Sequence, residues 1–315
     1  MIGEMKKFLI LTQSYSENDG GYIVLHKLCD QINRSGGDAY LFPYVDNFEF
    51  GAGNWIKPFL KFGKERLRRI LPFKINAEFL TPVVGSISKI KNWDDWIVVY
   101  PEVVFGNPLK AKNIVRWFLH HPGHITGAIN FGKNELYFRY HSGIRPYESS
   151  FSRVSASELK MVHYPLELYN ELGVSSNRTG TAYCLRKGAG KTIVHDLANS
   201  ILIDGKSHKE ISAIFKRVKQ FISYDVYTAY SSFAALCGCE SVVIPNINVT
   251  EEEWLPDPTD RYGVSYGFEN LEKSKLTKNL LIKRIQLEQD RNLASASNFI
   301  NEASSYFEQL PIAIR

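Results

Sequence analysis

The chain has 315 residues, of which 44% are hydrophobic and 23% charged, with a net charge of +5. That balance excludes a disordered or fibrous protein, and so small a positive excess gives no footprint for nucleic acid. No apolar run reaches the roughly 18 to 20 residues that cross a bilayer, and no cleavage site follows the first lysines.

The length predicts two domains of roughly 150 residues each, with a cleft between them as the default site. A cytoplasmic protein is expected, its four scattered cysteines, Cys29, Cys184, Cys237 and Cys239, reduced and mostly buried. Cys237-Gly238-Cys239 is too tight for zinc-ligand spacing, so no bound metal is expected.

Lys7 to Thr12 is a compact apolar run, followed by a polar loop to Asp19 and by Gly20-Gly21, which opens a helical pattern of Ile23, Leu25, Leu28 and Ile32. Gly36-Gly37 closes it and Ala39 to Phe42 reads as the next strand, a βαβ start to a parallel sheet. From Lys57 to Lys74 seven basic residues stand against one acid, a local +6, among seven large apolar side chains. Lys64, Arg66, Arg68 and Arg69 with those neighbours fit an anionic membrane surface and equally fit a solvated amphipathic helix.

Trp96 to Tyr100 and Ile114 to Leu119 read as buried strands, with Asn107-Pro108 between them as a helix cap. Their tips carry Glu102 and His120-His121, and ligands of open α/β sheets lie beyond such carboxyl ends. The serine-rich stretch Tyr147 to Glu158 reads as a linker. It divides the chain into an N-terminal domain, 1–150, a second domain, 151–290, and a C-terminal helix, 291–315, that returns toward the first. Within the second domain Thr181 to Leu185, Ser200 to Asp204, Gln220 to Ser223 and Ser241 to Pro245 read as strands. Helices are expected at His208 to Val218 and from Asp225 to Leu236, and Leu276 to Gln309 is mostly helical.

The stretch Phe221 to Pro245, FISYDVYTAYSSFAALCGCESVVIP, resembles the donor-binding segment of GT-B glycosyltransferases. The resemblance implies two Rossmann-like α/β domains facing across a cleft, and transfer of a sugar from a nucleotide-sugar donor to a surface glycan or lipid-linked acceptor. The donor is then a substrate, and no cofactor is implied. Arg186 and Lys187 resemble the family's basic pair on the donor phosphates, and Asp225, Tyr227, Thr228, Ser231 and Ser232 fall in the nucleotide-binding stretch. Gly20-Gly21 resembles its glycine-rich first loop. Where the family often carries a ribose-binding glutamate this chain has Phe233, and Asp225 reads equally well as a helix N-cap. An inverting transfer needs a group to take the acceptor proton, for which Asp19, Glu102, His120 and His121 are the candidates. Adjacent histidines at a strand end should point in opposite directions, leaving one for the site.

Three competing readings are weaker. Gly190-Lys191-Thr192 followed by Ser200 to Asp204 invites a P-loop, but the required earlier glycine is Leu185. Neither an Asp-x-Asp metal motif after an apolar strand nor a Gly-x-Ser-x-Gly elbow occurs. A catalytically silent GT-B-like protein that binds a glycan or partner is the remaining alternative.

Overall fold

The computed structural model describes residues 6–44, 72–141, 143–145 and 147–310. Its contacts divide the chain into two compact units, Met1–His163 with Asp290–Arg315, and Tyr164–Gln289. Lys64, Arg66, Arg68 and Arg69, with most of the basic segment, lie outside the described residues.

In the first unit β1 (Lys7–Thr12), β2 (Asp38–Pro43), β3 (Trp96–Pro101), β4 (Asn113–Phe118), β5 (Leu136–Arg139) and β6 (Arg153–Glu158) form one sheet in the order β2-β1-β3-β4-β5-β6. Every pairing is parallel. The apolar runs of β1, β3 and β4 are buried on both faces, which is why they read as continuous rather than alternating. Helix α1 (Gly20–Arg34) starts where the Asp19 carboxylate accepts the Tyr22 N–H at 3.2 Å. It ends at Gly36, with φ +83°, and at Gly37, where a Cβ would stand 2.7 Å from Ile32 Cγ2. Asn33 then exchanges bonds of 2.8 and 2.9 Å with the Ala39 backbone and ties the helix end to β2.

Two expectations change here. Asn107-Pro108 caps no helix: the Asn107 amide closes on the Ala111 N–H at 2.9 Å and its C=O at 2.8 Å, and the Tyr100 hydroxyl donates to the same amide. The stretch is thereby held as a closed turn feeding β4. The serine-rich stretch is no linker, because it supplies the edge strand β6. An edge strand has one neighbour and little to bury, so its composition stays polar. Glu302 secures it, accepting from the Ser155 hydroxyl at 2.8 Å and from Arg153 at 3.2 Å.

The second unit contains β7 (Thr181–Cys184), β8 (Ser200–Leu202), α2 (His208–Phe215), β9 (Gln220–Ser223), α3 (Tyr230–Leu236), β10 (Glu240–Val243), α4 (Glu251–Trp254) and β11 (Val264–Tyr266). Its strands form a parallel sheet in the order β11-β10-β9-β7-β8. Ser207 and Glu210 make a reciprocal capping box at α2. All four cysteines are buried free thiols, and burial raises Cys184 and Cys237 to about 11 and Cys239 to about 12. Helix α5 (Leu271–Gln309) belongs to both cores: Leu281 and Ile285 pack in the second, Ala296, Phe299, Ala303 and Phe307 in the first. Among the described residues no helix is long and apolar enough to cross a membrane.

His26 on α1 is fully buried, with Nε2 2.9 Å from the Gln13 carbonyl and Nδ1 unpartnered. Burial holds its imidazole below the usual histidine range, against the opposing pull of that carbonyl. The unfolded chain takes up this proton below about pH 6.5 while the folded chain resists it, so stability falls as pH drops through that value, by at most about 1.4 kcal/mol per pH unit. The urea midpoint should therefore fall between about pH 7 and pH 5.5, and fall less in H26Q, which keeps a donor without a titrating proton.

Candidate functional site

In the second unit the tips of β7 and β9 are pressed together. A Cβ on Gly188 would stand 2.0 Å from the Tyr224 carbonyl oxygen and 2.8 Å from the Asp225 nitrogen, so only glycine fits. The turn that Gly188 closes is held from the other side by Asp204, whose Oδ2 accepts the Leu185 and Arg186 N–H groups at 3.1 and 2.9 Å. Arg186 adopts φ +42°, a left-handed conformation that costs a non-glycine residue about 1 kcal/mol or more, and its guanidinium lies 5.2 Å from the Tyr230 ring centroid. Lys187 beside it is exposed.

Lys191, four residues beyond Lys187, reaches back to the tip of β10, with Nζ 2.8 Å from the Ile244 carbonyl. Burial lowers its proton affinity, and the carboxylate of Asp225 opposes that shift. The sequence reading had given Lys191 only to a P-loop; here no helix follows it before α2, and that reading falls. Its available signal was a third basic residue five positions after Arg186.

Asp225 is buried but does not cap the helix. Helix α3 begins only at Tyr230, and Asp225 Oδ1 instead accepts the Tyr227 N–H at 3.1 Å in a tight turn. That turn leaves Tyr227 exposed and carries Thr228 to within 3.3 Å of the Tyr230 N–H. Ser231 is buried with an unbonded hydroxyl, and Ser232 is half-buried. Phe233, where the resemblance looks for a glutamate, stacks on Tyr169 at a centroid distance of 4.3 Å and belongs to the core.

The first unit brings its predicted residues together around Leu119. A Cβ on Gly21 would lie 3.3 Å from Asp19 Oδ1 and 3.9 Å from Leu119 Cδ1, while Gly20 faces open space. The Leu119 N–H donates to Glu102 Oε2 at 3.0 Å. Glu102 is buried, and burial raises its carboxyl above the usual glutamate range despite that bond and one from His120 N–H.

The histidine pair corrects the expectation of opposed directions. Both residues lie beyond the end of β4, where strand alternation no longer applies, and their rings meet edge to face at 5.2 Å. The His121 N–H donates to His120 Nδ1 at 2.8 Å, and the Arg145 N–H donates to His121 Nδ1 at 3.0 Å. A backbone N–H is only a donor, so each neutral ring carries its proton on Nε2. In this arrangement neither Nδ1 is open to receive a proton from a substrate. The loop also holds His124, stacked on His120 at 4.3 Å, which the sequence reading did not single out.

Fold and site together define a two-unit parallel α/β protein with charged and hydrogen-bonding groups gathered at strand tips in each unit. Comparison with family models finds no match, and comparison with curated sequences finds none either. Among solved structures the chain is similar to T4 phage BGT in complex with UDP-glucose, at 9% identity, 96% of this chain, 98% of that chain and a TM-score of 0.39. It is similar to the spinosyn forosaminyltransferase SpnP at 12% identity, covering 96% and 95%, with a TM-score of 0.34. A third similarity is to the lipopolysaccharide outer core galactosyltransferase WaaB, at 12% identity, 96% and 97%, with a TM-score of 0.35. By name the second and third of these are sugar transferases.

The Gly188 contact gives a direct check. G188A forces the turn away from Tyr224 and should lower unfolding free energy by about 1 to 3 kcal/mol, the usual range for overpacking. G20A, placed in open space at an ordinary φ, should stay within about 0.5 kcal/mol of native in the same urea titration.

Proposed function

We propose that the protein is a glycosyltransferase that moves a sugar from a nucleotide-sugar donor, without a metal ion, to a surface glycan or lipid-linked acceptor. The observation that carries this reading is the set of three cations, Arg186, Lys187 and Lys191, on one turn whose backbone is packed against Tyr224 and Asp225. As the glycosidic bond breaks, negative charge grows on the departing nucleoside diphosphate, and cations fixed in advance offset it without rearranging. Asp225, Tyr227, Thr228, Ser231 and Ser232 would supply hydroxyl and carboxylate contacts to the rest of the donor. The acceptor would meet the first unit at Asp19, Gly20, Gly21, Glu102 and the histidines. For an inverting transfer Glu102 is the favoured base, since a carboxyl with raised proton affinity takes a hydroxyl proton more readily.

A nucleoside diphosphate should bind the native protein with no divalent ion added, by calorimetry, and R186A and K191A should each weaken it at least about tenfold, or 1.4 kcal/mol. E102Q should leave that affinity unchanged and cut turnover by about 100-fold or more. Binding that requires metal, or that ignores both substitutions, would falsify the donor site. Tight binding with no transfer to any acceptor would favour the silent-binder reading.

The segment Lys57 to Lys74 would hold the enzyme at the inner face of a membrane, where a lipid-linked acceptor stays. Co-sedimentation with anionic vesicles should weaken as salt rises and vanish when Lys64, Arg66, Arg68 and Arg69 become glutamate; indifference to both lipid charge and substitution removes the membrane from this reading.

A further inference from the structure

The loops after β4 and β5 hold an arrangement whose chemistry the transfer reading does not specify. From Phe118 to Tyr147 the one acid is Glu135, and Arg116 occupies both its oxygens at 2.7 Å within the core. The flanking acids are Glu102, buried under the Leu119 N–H, and Glu148. The same stretch carries His120, His121, His124, His141 and Arg145.

Three of these imidazoles are wired alike. To the two bonds onto His120 and His121 Nδ1 the Gly143 N–H adds a third, onto His141 Nδ1 at 3.1 Å. All three neutral rings therefore carry the proton on Nε2 and are donors of fixed tautomer. The Arg145–His121 bond joins the loop after β5 to the loop after β4. A Cβ at Gly143 would lie 3.0 Å from His141 Nδ1, a tight fit beside that bond. The Arg145 guanidinium is exposed and makes no ion pair with any described residue.

N–H donors of fixed tautomer and a guanidinium on loops joined by the Arg145–His121 backbone bond, with no exposed acid between them in the chain, suit a multiply charged, oxygen-rich anion. We propose that His121, His141 and Arg145 bind a phosphate group of the acceptor, which is then a phosphorylated molecule. This rests on reading the first unit as the acceptor side. The phosphate belongs either to a soluble glycosyl phosphate or to a polyprenyl phosphate in a membrane.

Binding of inorganic phosphate, a glycosyl phosphate, and vesicles carrying a polyprenyl phosphate is measured on the full chain by calorimetry, with nucleoside diphosphate as a separate arm. In H121N the amide oxygen can still accept the Arg145 N–H, but no donor remains at the Nε2 position. H121N and R145A should each weaken phosphate binding at least tenfold, with native nucleotide affinity and urea midpoint retained. Whichever of the glycosyl phosphate and the vesicle binds more tightly, and loses that advantage in R145A, identifies the source. The proposal is overturned if the native protein binds none of the three phosphate probes, or if both variants bind them as tightly as native. Loss of nucleotide binding in the native protein would instead strike the transfer reading, and the two failures are read in different arms.

Discussion

The first unit depends on one fully buried ion pair. Arg116, in the middle of β4, meets Glu135 through Nε and Nη2 at 2.7 Å each, and both side chains are removed from solvent. Taking two charges out of water is costly, and the cost is met only where the remaining hydrogen-bonding capacity is filled. Here it is nearly so: Arg116 Nη1 donates to the Val104 carbonyl at 2.6 Å, Nη2 to Gly106 at 2.9 Å, and Glu135 accepts the Gly132 N–H at 2.8 Å. The Phe131 ring covers the guanidinium at 4.3 Å. Because Val104 follows Glu102 by two residues, the same guanidinium that neutralises Glu135 also fixes the loop in which Glu102 is buried.

The second unit fixes its strand ends by a close backbone approach at one end and a guanidinium at the other. Its strand tips meet where Gly188 gives up a side chain to Tyr224, and at the other end of β9 and β10 Arg178 donates to the carbonyls of Val218 at 2.8 Å, Phe215 at 2.7 Å and Gly238. The guanidinium also lies 3.0 Å from the Cys239 sulfur. With one end of the strands clamped and the other pressed together, the cationic turn at the pressed end is held by its backbone.

What the sequence made legible follows burial. Runs such as FLIL and WIVVY sit in central strands with both faces covered, so their composition alone marks them. The edge strand β6 buries little, and nothing in YESSFSRVSASE distinguishes it from a loop. Asp225 illustrates a second limit: an acid before a helical pattern looks like a cap, and four residues of turn intervene before the helix begins at Tyr230. Phe233 was noticed as a departure, and its reason, stacking on Tyr169 from 64 residues earlier, lies in tertiary contact. Lys191 was hidden by its neighbours, since Gly-Lys-Thr evokes a different fold until the absence of a following helix removes it.

The His121 tautomer was beyond any sequence reading, because it is set by an N–H delivered from another loop, the Arg145 bond spanning 24 residues. The histidine tautomers also redistribute the chemistry among the candidates. A general base must hold a lone pair toward its substrate, and rings whose Nδ1 is already taken present a proton instead. Asp19 spends one carboxylate oxygen on the first turn of α1. Glu102 is held by backbone donors that favour its anion and by burial that favours its acid, and burial prevails. A carboxylate poised between those two pulls gains a proton at less cost than an exposed one, which is the property a base needs when the proton to be moved belongs to an alcohol. The two candidates are thus held by the same backbone: the N–H of Leu119 donates to Glu102, and the N–H of the residue after next donates to His120.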